Sequence, residues 1–501
     1  MAERSVFEPR GDYIDGAFAL PPHASGEIAL ECPADLDRVR GAFPFALESV
    51  DAAVDAARRA WPAWRDAPAT LRAACLERFA AELGRDRERF AELIALEVGK
   101  PRWEALGEVD AMVAKIAITL GQGLELVAER SFDAGDGQTA RWSNRARGAL
   151  AVLGPFNFPG HLVNGHVVPA LATGNTVVIK PSERAPAVGQ FYAELADRAG
   201  FPRGVVNLVQ GDGALGAALS GHPGVDAVLF TGSWAAGRAI LAATLDQPWK
   251  LLALEMGGKN AVLVCGDADL DAAASAIAFG ACATAGQRCT STSRVFAMPG
   301  VADALLDKLV HLLREIHVGD PLDAGTFMGP VISAAARERH ALLLHWARCE
   351  GAECLVPGGP WQGPRRGHWV RPSLHRMARL DPASRYQREE HFVPDVFVHA
   401  VDSLDAAIEA IDATDHGLVA SVFSADRSVF ERVAREVRLG LINWNAPTVG
   451  ASSKLPFGGL KRSGNGRPAG STSTLYCTHP LASLEVPAPR PGRWPGFPDP
   501  A

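Results

Sequence analysis

One cysteine of the 501-residue chain has neighbours that suit a reactive thiol better than a packing residue. Cys289 lies in TAGQRCTS, residues 284–291, between a cation and hydroxyl side chains. The thiolate is the nucleophilic form of cysteine, and Arg288 or a helix N-terminus beside it would lower the pKa of the thiol. An inert, half-buried thiol is the commoner case, so the local sequence leaves both readings open.

Two polar residues that follow apolar runs could assist such a nucleophile. Glu255 ends LLALE, and a carboxylate that leaves a buried strand can have a raised pKa and act as a general base. Asn157, in GPFNFPGH, could donate a hydrogen bond to a developing oxyanion. Each has a plainer alternative, since Glu255 could be a surface carboxylate at a strand end and Asn157 an ordinary turn residue.

Two other turns could hold a nucleotide. AVLFTGSWAAGRAI is typical of a strand, a turn at Gly232 and a helix capped by Ser233, whose N–H groups suit phosphate. It matches neither the usual dinucleotide fingerprint nor a P-loop, and a simple tight connection is an equal alternative. In TVVIKPSE, Lys180 could hold ribose hydroxyls or be a solvated lysine, while Glu183 would repel a 2′-phosphate and favour NAD over NADP.

Short apolar runs alternate with helical patterns around these residues, which predicts parallel βαβ units. Strands are predicted at 149–153, 176–180, 205–209, 227–231, 251–254 and 261–265, with helices at 186–199 and 235–244. A second α/β domain is predicted from about residue 257 to 450, with helices at 301–316 and 404–413 and strands at 418–423 and 440–444. Residues 48–98 are predicted to be helical, with an apolar stripe of Leu71, Cys75, Phe79 and Leu83.

Composition excludes several classes of function. A net charge of −7 without a basic cluster argues against nucleic acid as a partner. We find no apolar run long enough to cross a membrane and no signal peptide, and therefore expect a cytoplasmic protein without membrane contact.

Eight cysteines are few for this length, so most should be free thiols. Packing roles are expected for Cys32, Cys265, Cys282 and Cys477, and His345, Cys349 and Cys354 lack a fourth ligand for a metal.

In this order, FNFPG, KPSE, FTGS, LEMGGKN, GQRC and PFGGLKRSGNGR resemble the aldehyde dehydrogenase superfamily, over roughly residues 10 to 485. Within it, FNFPGHLVNGHVVPAL, AGQRCT, INWNAPTVGASS, SGNGRPAG and YCTHPLASLE are most similar to the succinylglutamate-semialdehyde dehydrogenases of bacterial arginine degradation. The ordered set is far more specific than any one motif.

The resemblance implies an α/β, aldehyde dehydrogenase-like fold. A Rossmann-type NAD-binding domain would comprise residues 1–124 and 148–256, and the second α/β domain, residues 257–450, would be catalytic. A small β oligomerisation arm, residues 125–147 and 471–485, would make a homodimer or homotetramer. Residues 486–501 would be an irregular, Pro-rich tail.

The resemblance also implies NAD-dependent oxidation of an aldehyde through a cysteine thioester, with succinylglutamate semialdehyde as the expected substrate. Cys289 would be the nucleophile, Glu255 the base, and Asn157 an oxyanion donor together with the Cys289 N–H. NAD would contact Pro155, Phe156, Lys180, Ser182, Glu183, Thr231, Gly232, Ser233, Trp234, Ala235, Ala236, Gly237, Glu390 and Phe392. The substrate would meet Leu162, Gly165, Arg288, Ser452 and Ser453, and Arg288 could instead tune the thiol or pair with a structural acid.

Alternative functions are another semialdehyde or a long-chain aldehyde as substrate, acyl transfer to coenzyme A, and a non-catalytic binding or structural role. A retained base argues against acyl transfer, which needs no activated water. The chain also departs from the family pattern at three places. Val393 replaces a usual glycine, Phe156 replaces a tryptophan found in many relatives, and Arg467-Pro468 replaces Gly-Arg-Glu and so removes a second carboxylate.

Overall fold

The computed structural model describes residues 7–38, 41–135, 137–488 and 495–498. The helices in these ranges are α1 Ser49–Asp66, α2 Ala69–Arg85, α3 Arg87–Val98, α4 Arg102–Ile118, α5 His161–Ala172, α6 Pro186–Arg198, α7 Gly213–Gly221, α8 Trp234–Ala243, α9 Leu270–Cys282, α10 Ala302–Glu315, α11 Ala334–Cys349, α12 Arg385–Arg388, α13 Leu404–Asp412, α14 Arg427–Glu436 and α15 Ser473–Cys477. A π-helical turn, Thr119–Gly123, continues α4.

The strands of the larger sheets and of the three-stranded arm are β1 Asp12–Ile14, β2 Ala17–Ala19, β5 Arg130–Gly135, β6 Gln138–Ala146, β7 Ala149–Leu153, β8 Thr176–Lys180, β9 Val206–Leu208, β10 Ala227–Thr231, β11 Leu251–Glu255, β12 Asn260–Val264, β13 Thr292–Ala297, β14 Glu353–Val356, β17 Ser373–Met377, β18 Asp395–Ala400, β20 Val419–Phe423, β21 Leu441–Trp444 and β25 Thr478–Glu485. Short two-stranded pairs are made by β3 Gly26–Ala29, β4 Ala42–Phe45, β15 Gly359–Pro360, β16 Val370–Arg371, β19 His416–Gly417, β22 Pro456–Phe457, β23 Leu460–Lys461 and β24 Ala469–Gly470.

The first large sheet has the order β11-β10-β7-β8-β9-β1-β2, and β7 to β11 run parallel. The chain moves outward from β7 through β8 to β9 and then returns to the other side of β7 with β10. Such a reversal opens a crevice at the carboxyl ends of the neighbouring strands, which is where α/β folds bind ligands. The segments GPFN, KPSE and TGS lie at the carboxyl ends of β7, β8 and β10 and are therefore together at one edge of this sheet.

The second large sheet has the order β14-β17-β18-β13-β12-β20-β21, parallel except for β14 with β17. The chain passes from the first sheet to the second between β11 and β12. Each sheet has its own cluster of buried apolar side chains. The predicted fold class is confirmed, and the assigned strands and helices lie within about two residues of their predicted bounds.

Residues 48–98 are helical as predicted, but they form three separate helices, α1 to α3, rather than one continuous helix. Cys75, Phe79 and Leu83 are buried as predicted, but Leu71 is 46% exposed and does not belong to the core. The physical reason is that steps of four residues advance about 40° beyond a full turn of an α-helix. A stripe built only from such steps therefore rotates away from the buried face.

The cysteines expected to pack, Cys32, Cys265, Cys282 and Cys477, are buried. His345 and Cys349 lie together on α11, with Sγ 3.6 Å from Nε2, and Cys349 is exposed. Within the described ranges no three His, Cys, Asp or Glu side chains gather to hold a metal ion. No helix found in those ranges is long and apolar enough to span a membrane.

The predicted arm contains an antiparallel sheet in the order β25-β6-β5. In the predicted tail, residues 486–488 and 495–498 have no helix or strand, and the other tail residues lie outside the described ranges. The domain boundaries drawn from the sequence stay predictions.

Candidate active site

Cys289 lies where two cavities meet. One has a volume of about 610 Å³ and extends over the carboxyl ends of β7, β8 and β10. The other has a volume of about 400 Å³ and lies between α4, α5 and the chain around residues 450–470. Cys289 and Thr231 line both. A small molecule in either cavity can therefore reach the same sulfur from a different side.

The turn before Cys289 has an unusual backbone. Thr284, Ala285 and Gly286 all have left-handed conformations, with φ of 53°, 51° and 70°. This region is disfavoured for residues with a side chain, so the turn needs external support. Glu104 of α4 supplies it, because its carboxylate accepts hydrogen bonds from the Thr284 N–H at 2.9 Å and the Thr284 hydroxyl at 2.6 Å.

The glycine pair of LEMGGKN lets three parts of the site come together. A Cβ atom at Gly257 would lie 2.2 Å from the Glu390 carboxylate, and one at Gly258 would lie 2.5 Å from the Cys289 carbonyl oxygen. The Gly258 N–H donates to Glu390 at 2.9 Å, and the Asn260 amide donates to the Cys289 carbonyl at 2.7 Å. Side chains at either glycine would force these groups apart.

The surroundings of Cys289 favour the neutral thiol over the thiolate. Burial, with smaller contributions from the nearby carboxylates of Glu390 and Glu255, raises its pKa to about 12, and Arg288 lowers it only slightly. The Arg288 guanidinium instead contacts Glu104 at 2.5 Å and the Thr284 hydroxyl at 2.8 Å. Of the three roles considered for Arg288, pairing with a structural acid is the one seen in the structure.

Glu255 ends β11 inside the protein, not at its surface. Glu255 is 5% exposed. Burial raises the pKa of its carboxyl well above 4.5, although a hydrogen bond from the Ala469 N–H acts to lower it. Its Oε2 atom has no hydrogen-bond partner in the part of the chain that the structure describes, and Glu255 lines the smaller cavity. A buried carboxyl with a raised pKa beside a cavity is suited to take a proton from water.

Asn157 is also buried, and it lines the larger cavity. Its side-chain amide donates to the Gln287 carbonyl at 2.8 Å, and its oxygen accepts from the Phe158 N–H at 3.1 Å. These contacts fix the amide plane beside the Cys289 turn and use one of its two N–H bonds.

Eleven of the fourteen residues predicted to hold the cofactor line the larger cavity: Pro155, Phe156, Lys180, Ser182, Glu183, Thr231, Gly232, Ser233, Ala236, Glu390 and Phe392. Ser233 is the N-cap of α8, as predicted, and accepts from the Ala236 N–H. Trp234, Ala235 and Gly237 do not line this cavity. A Cβ at Gly237 would meet Met256, and the Trp234 ring faces the Arg462 guanidinium.

Two carboxylates give the larger cavity its charge pattern. Glu183 lies 3.3 Å from the buried Lys180 ammonium, whose pKa burial lowers. Burial also raises the pKa of Glu390 to about 7, opposed by the Gly258 N–H. The sequence did not indicate the other residues that line this cavity, among them Gly213, Gly216, Ala217, Met256 and Arg339, although the small residues of α7 were a visible signal.

In the segment Phe392-Val393-Pro394, where relatives usually have glycine in the place of Val393, the left-handed residue is not the valine itself. Phe392, rather than Val393, has the left-handed backbone, with φ of 54°. Val393 is buried, and its carbonyl carbon lies where a Cβ on Gly286 would come within 2.3 Å. The Phe392 ring packs edge-on against Phe156, with ring centroids 5.9 Å apart.

All five residues predicted for the substrate line the smaller cavity: Leu162, Gly165, Arg288, Ser452 and Ser453. No atom lies within 4 Å of where a Cβ on Gly165 or Gly107 would be, apart from each helix's own backbone, so both glycines leave open space. The α4 side of this cavity, which includes Trp103, Glu104, Glu108 and Lys115, was not predicted from the sequence.

Because Arg467-Pro468 replaces the Gly-Arg-Glu found in many relatives, this segment supplies no second carboxylate to assist Glu255. The carboxylates that line the smaller cavity, within the described ranges, are Glu104, Glu108 and Glu255. Glu104 and Glu108 both accept backbone hydrogen bonds and pair with cations. Of the three, only Glu255 has a carboxylate oxygen without a hydrogen-bond partner among the described residues.

Comparison with known proteins agrees with this arrangement. The aldehyde dehydrogenase family model matches residues 22–480. N-succinylglutamate 5-semialdehyde dehydrogenase 1 of Caulobacter vibrioides is 43% identical over 449 residues, which is 88% of this chain and 92% of the relative. The N-succinylglutamate 5-semialdehyde dehydrogenase of Cronobacter sakazakii is 42% identical over 443 residues, 87% of this chain and 88% of the relative.

Solved structures show the same similarity. The NAD-dependent aldehyde dehydrogenase of Sinorhizobium meliloti has a TM-score of 0.92 and 32% identity, covering 97% of this chain and 96% of that one. The betaine aldehyde dehydrogenase of Staphylococcus aureus, solved in complex with NAD+, has a TM-score of 0.90 and 28% identity over 97% of each chain. The chain therefore belongs to the aldehyde dehydrogenase family.

Proposed function

We propose that the protein oxidises N-succinylglutamate 5-semialdehyde to N-succinylglutamate with NAD, as a step of arginine degradation. The observation that carries this proposal is the position of Cys289 at the junction of two cavities, with Glu255 in the wall of one and Asn157 in the wall of the other. Membership of the aldehyde dehydrogenase family and the relatives at 40–43% identity support it.

The larger cavity fits NAD. Its volume of about 610 Å³ is within the range of ligand pockets, and it has the N-terminus of α8, suited to a pyrophosphate, on its wall. Lys180 and Glu183 would bind the adenine-side ribose, where Glu183 disfavours a 2′-phosphate, and Glu390 would accept from the second ribose. When bound there, NAD supplies the acceptor for a hydride.

The protein's own groups provide the remaining chemistry. The Cys289 thiol first gives its proton to water. The resulting thiolate attacks the aldehyde carbon, and the negative charge that develops on the oxygen is stabilised by the free N–H of Asn157 and the Cys289 N–H. Loss of hydride from that carbon leaves a thioester on Cys289. Glu255 then takes a proton from water, which attacks the thioester and releases the carboxylate product and the thiolate.

The intact water-activating group favours hydrolysis over transfer of the acyl group to coenzyme A. A buried carboxyl with one unpartnered oxygen costs stability, and acyl transfer to a thiol would give it no task. The same arrangement argues against a non-catalytic role for the fold.

We also propose that the arm joins copies of the chain into a homodimer or homotetramer. In the register of the arm sheet, Phe132, Ala140 and Leu484 lie in one cross-strand row, and Trp142 is on the same face. Phe132 and Leu484 are 56% and 61% exposed. An apolar face of this kind is typical of an interface.

The proposed substrate predicts a selectivity that can be measured directly. Purified protein should form NADH with N-succinylglutamate semialdehyde at a kcat/KM at least tenfold above that for hexanal or propanal. With NADP the rate should be lower, because Glu183 repels the 2′-phosphate. Equal rates with hexanal would favour a long-chain aldehyde, and NADH formation that requires coenzyme A would favour acyl transfer.

Glu255→Gln should lower kcat for NADH formation by about 10²- to 10³-fold, because the amide cannot take a proton from water. Burial raises the pKa of Glu255, so its basic form increases as the pH rises. The wild-type kcat should therefore rise with pH through that pKa, and this dependence should be lost in the variant. Glu315→Gln, on the exposed end of α10, is the control. A Glu255 variant with unchanged kcat would disprove its role.

Phe132→Lys with Leu484→Lys should dissociate the oligomer, because two cations on the apolar face of the arm oppose its burial. Size-exclusion chromatography with light scattering measures the mass. Ser131→Lys with Ser483→Lys places the same charges on the other face of the same strands and should leave the mass unchanged. A monomeric wild-type protein, or an oligomer insensitive to the first pair, would contradict the proposed interface.

A further inference from the structure

We propose that Lys115 and the neighbouring His161 form a carboxylate-binding subsite between α4 and α5, which recognises the acidic end of the aldehyde substrate. The inference rests on the proposed function in that it takes the substrate to carry carboxylates. It assigns their recognition to Lys115 rather than to Arg288.

Lys115 is a buried cation in the wall of the smaller cavity. The residue is 2% exposed, and its ammonium donates to the Gly470 carbonyl at 2.5 Å and contacts the Ser473 hydroxyl at 3.4 Å. An ammonium has three donors, so one remains for a ligand. No carboxylate of the described ranges lies within 4 Å of it.

The other cations near this cavity are already neutralised. Arg288 pairs with Glu104, and the buried Lys100 pairs with Glu108. A buried charge without a counter-ion is costly, and a bound carboxylate would remove that cost. Burial lowers the pKa of Lys115 to about 8, which is the direction expected of an ammonium that lacks an anion.

His161 adds a second, independent sign of an absent ligand. Its Nδ1 atom is buried and has no hydrogen-bond partner among the described residues, and His161 lines the same cavity. Burial, with smaller contributions from the charges of Lys115 and Lys100, lowers its pKa to about 4 against the opposing effect of Glu108, so the ring is neutral. A neutral ring with a proton on Nδ1 would donate to a carboxylate oxygen.

The space between the two helices is open. Gly107 on α4 and Gly165 on α5 both line the cavity and leave the positions of their Cβ atoms free of contacts. A chain that reaches from Cys289 into this space would bring its far end toward Lys115, while the apolar rings of Trp103, Phe158 and Phe279 would cover its methylene groups. The cavity therefore offers apolar walls to the methylene groups of the substrate and a cation to the carboxylate at its far end.

The test compares the ratio of kcat/KM for N-succinylglutamate semialdehyde to that for hexanal. Lys115→Met keeps the length of the side chain and removes its charge, and should lower this ratio by about 30- to 100-fold, mainly through KM for the anionic aldehyde. Lys115→Arg should restore most of the ratio. Lys115→Gln serves as a second neutral variant in case Met does not fold.

Lys250→Met is the matched control. Lys250 is likewise buried, donates to two backbone carbonyls, and has its pKa lowered to about 8 by burial, but it does not line either cavity. This variant should leave the ratio unchanged. Thermal unfolding of each variant shows whether the fold is kept.

Equal losses with both aldehydes in the Lys115 variants, or no loss, would overturn the subsite, since a lysine that only anchors the Gly470 carbonyl does not distinguish anionic from neutral substrates. The failure of the proposed function is a separate result. It would appear as a wild-type enzyme that does not prefer N-succinylglutamate semialdehyde, and the same variants tested with succinate semialdehyde would then still report on the subsite.

Discussion

The close backbone approach at Gly257 and Gly258 is the constraint on which the site depends. These residues lie where the chain leaves the first sheet and enters the second, and they touch the Glu390 carboxylate and the Cys289 carbonyl. One dipeptide thus sets the distance between Cys289 and a wall of the larger cavity. A Cβ at Gly258 would meet the backbone carbonyl of Cys289, so this relation of the two sheets requires glycine there, whereas at Gly257 the neighbour is the end of the Glu390 side chain.

Two buried carboxylates on α4 hold the loops on the other side. Glu104 binds the left-handed turn before Cys289, and Glu108, one helical turn later, accepts from the N–H groups of Gly160 and His161. Lys100 and Arg288 neutralise the pair and both lie over the Phe158 ring. The loop that contains Asn157 and the turn that contains Cys289 are therefore anchored to one helix, which keeps the Asn157 amide in a fixed position beside the Cys289 thiol.

Much of the fold and of the candidate site could be predicted from the sequence, because the patterns that indicate strands, turns and family motifs are local in the chain. The apolar parallel strand ALAVL is fully buried, AVLFT is buried except at Thr231, and turn residues end both, so their bounds are visible in the chain; the ordered motifs indicated the family. The meaning of Arg288 was not predictable, because its partner Glu104 is 184 positions away. Lys115 was missed for the same reason, since a lysine within a helical pattern is commonly solvated, and only the packing of α4 against α5 and Gly470 shows that this one is buried.

The central claim is that Cys289 is acylated by an aldehyde from one cavity while NAD occupies the other. Mass spectrometry of the Cys289 peptide, after an acid quench of enzyme mixed with N-succinylglutamate semialdehyde, tests it most directly. A mass increase equal to the aldehyde less two hydrogens should appear on Cys289 when NAD is present and be absent without it. No acyl adduct with NAD present, or the adduct on another residue, would contradict the account.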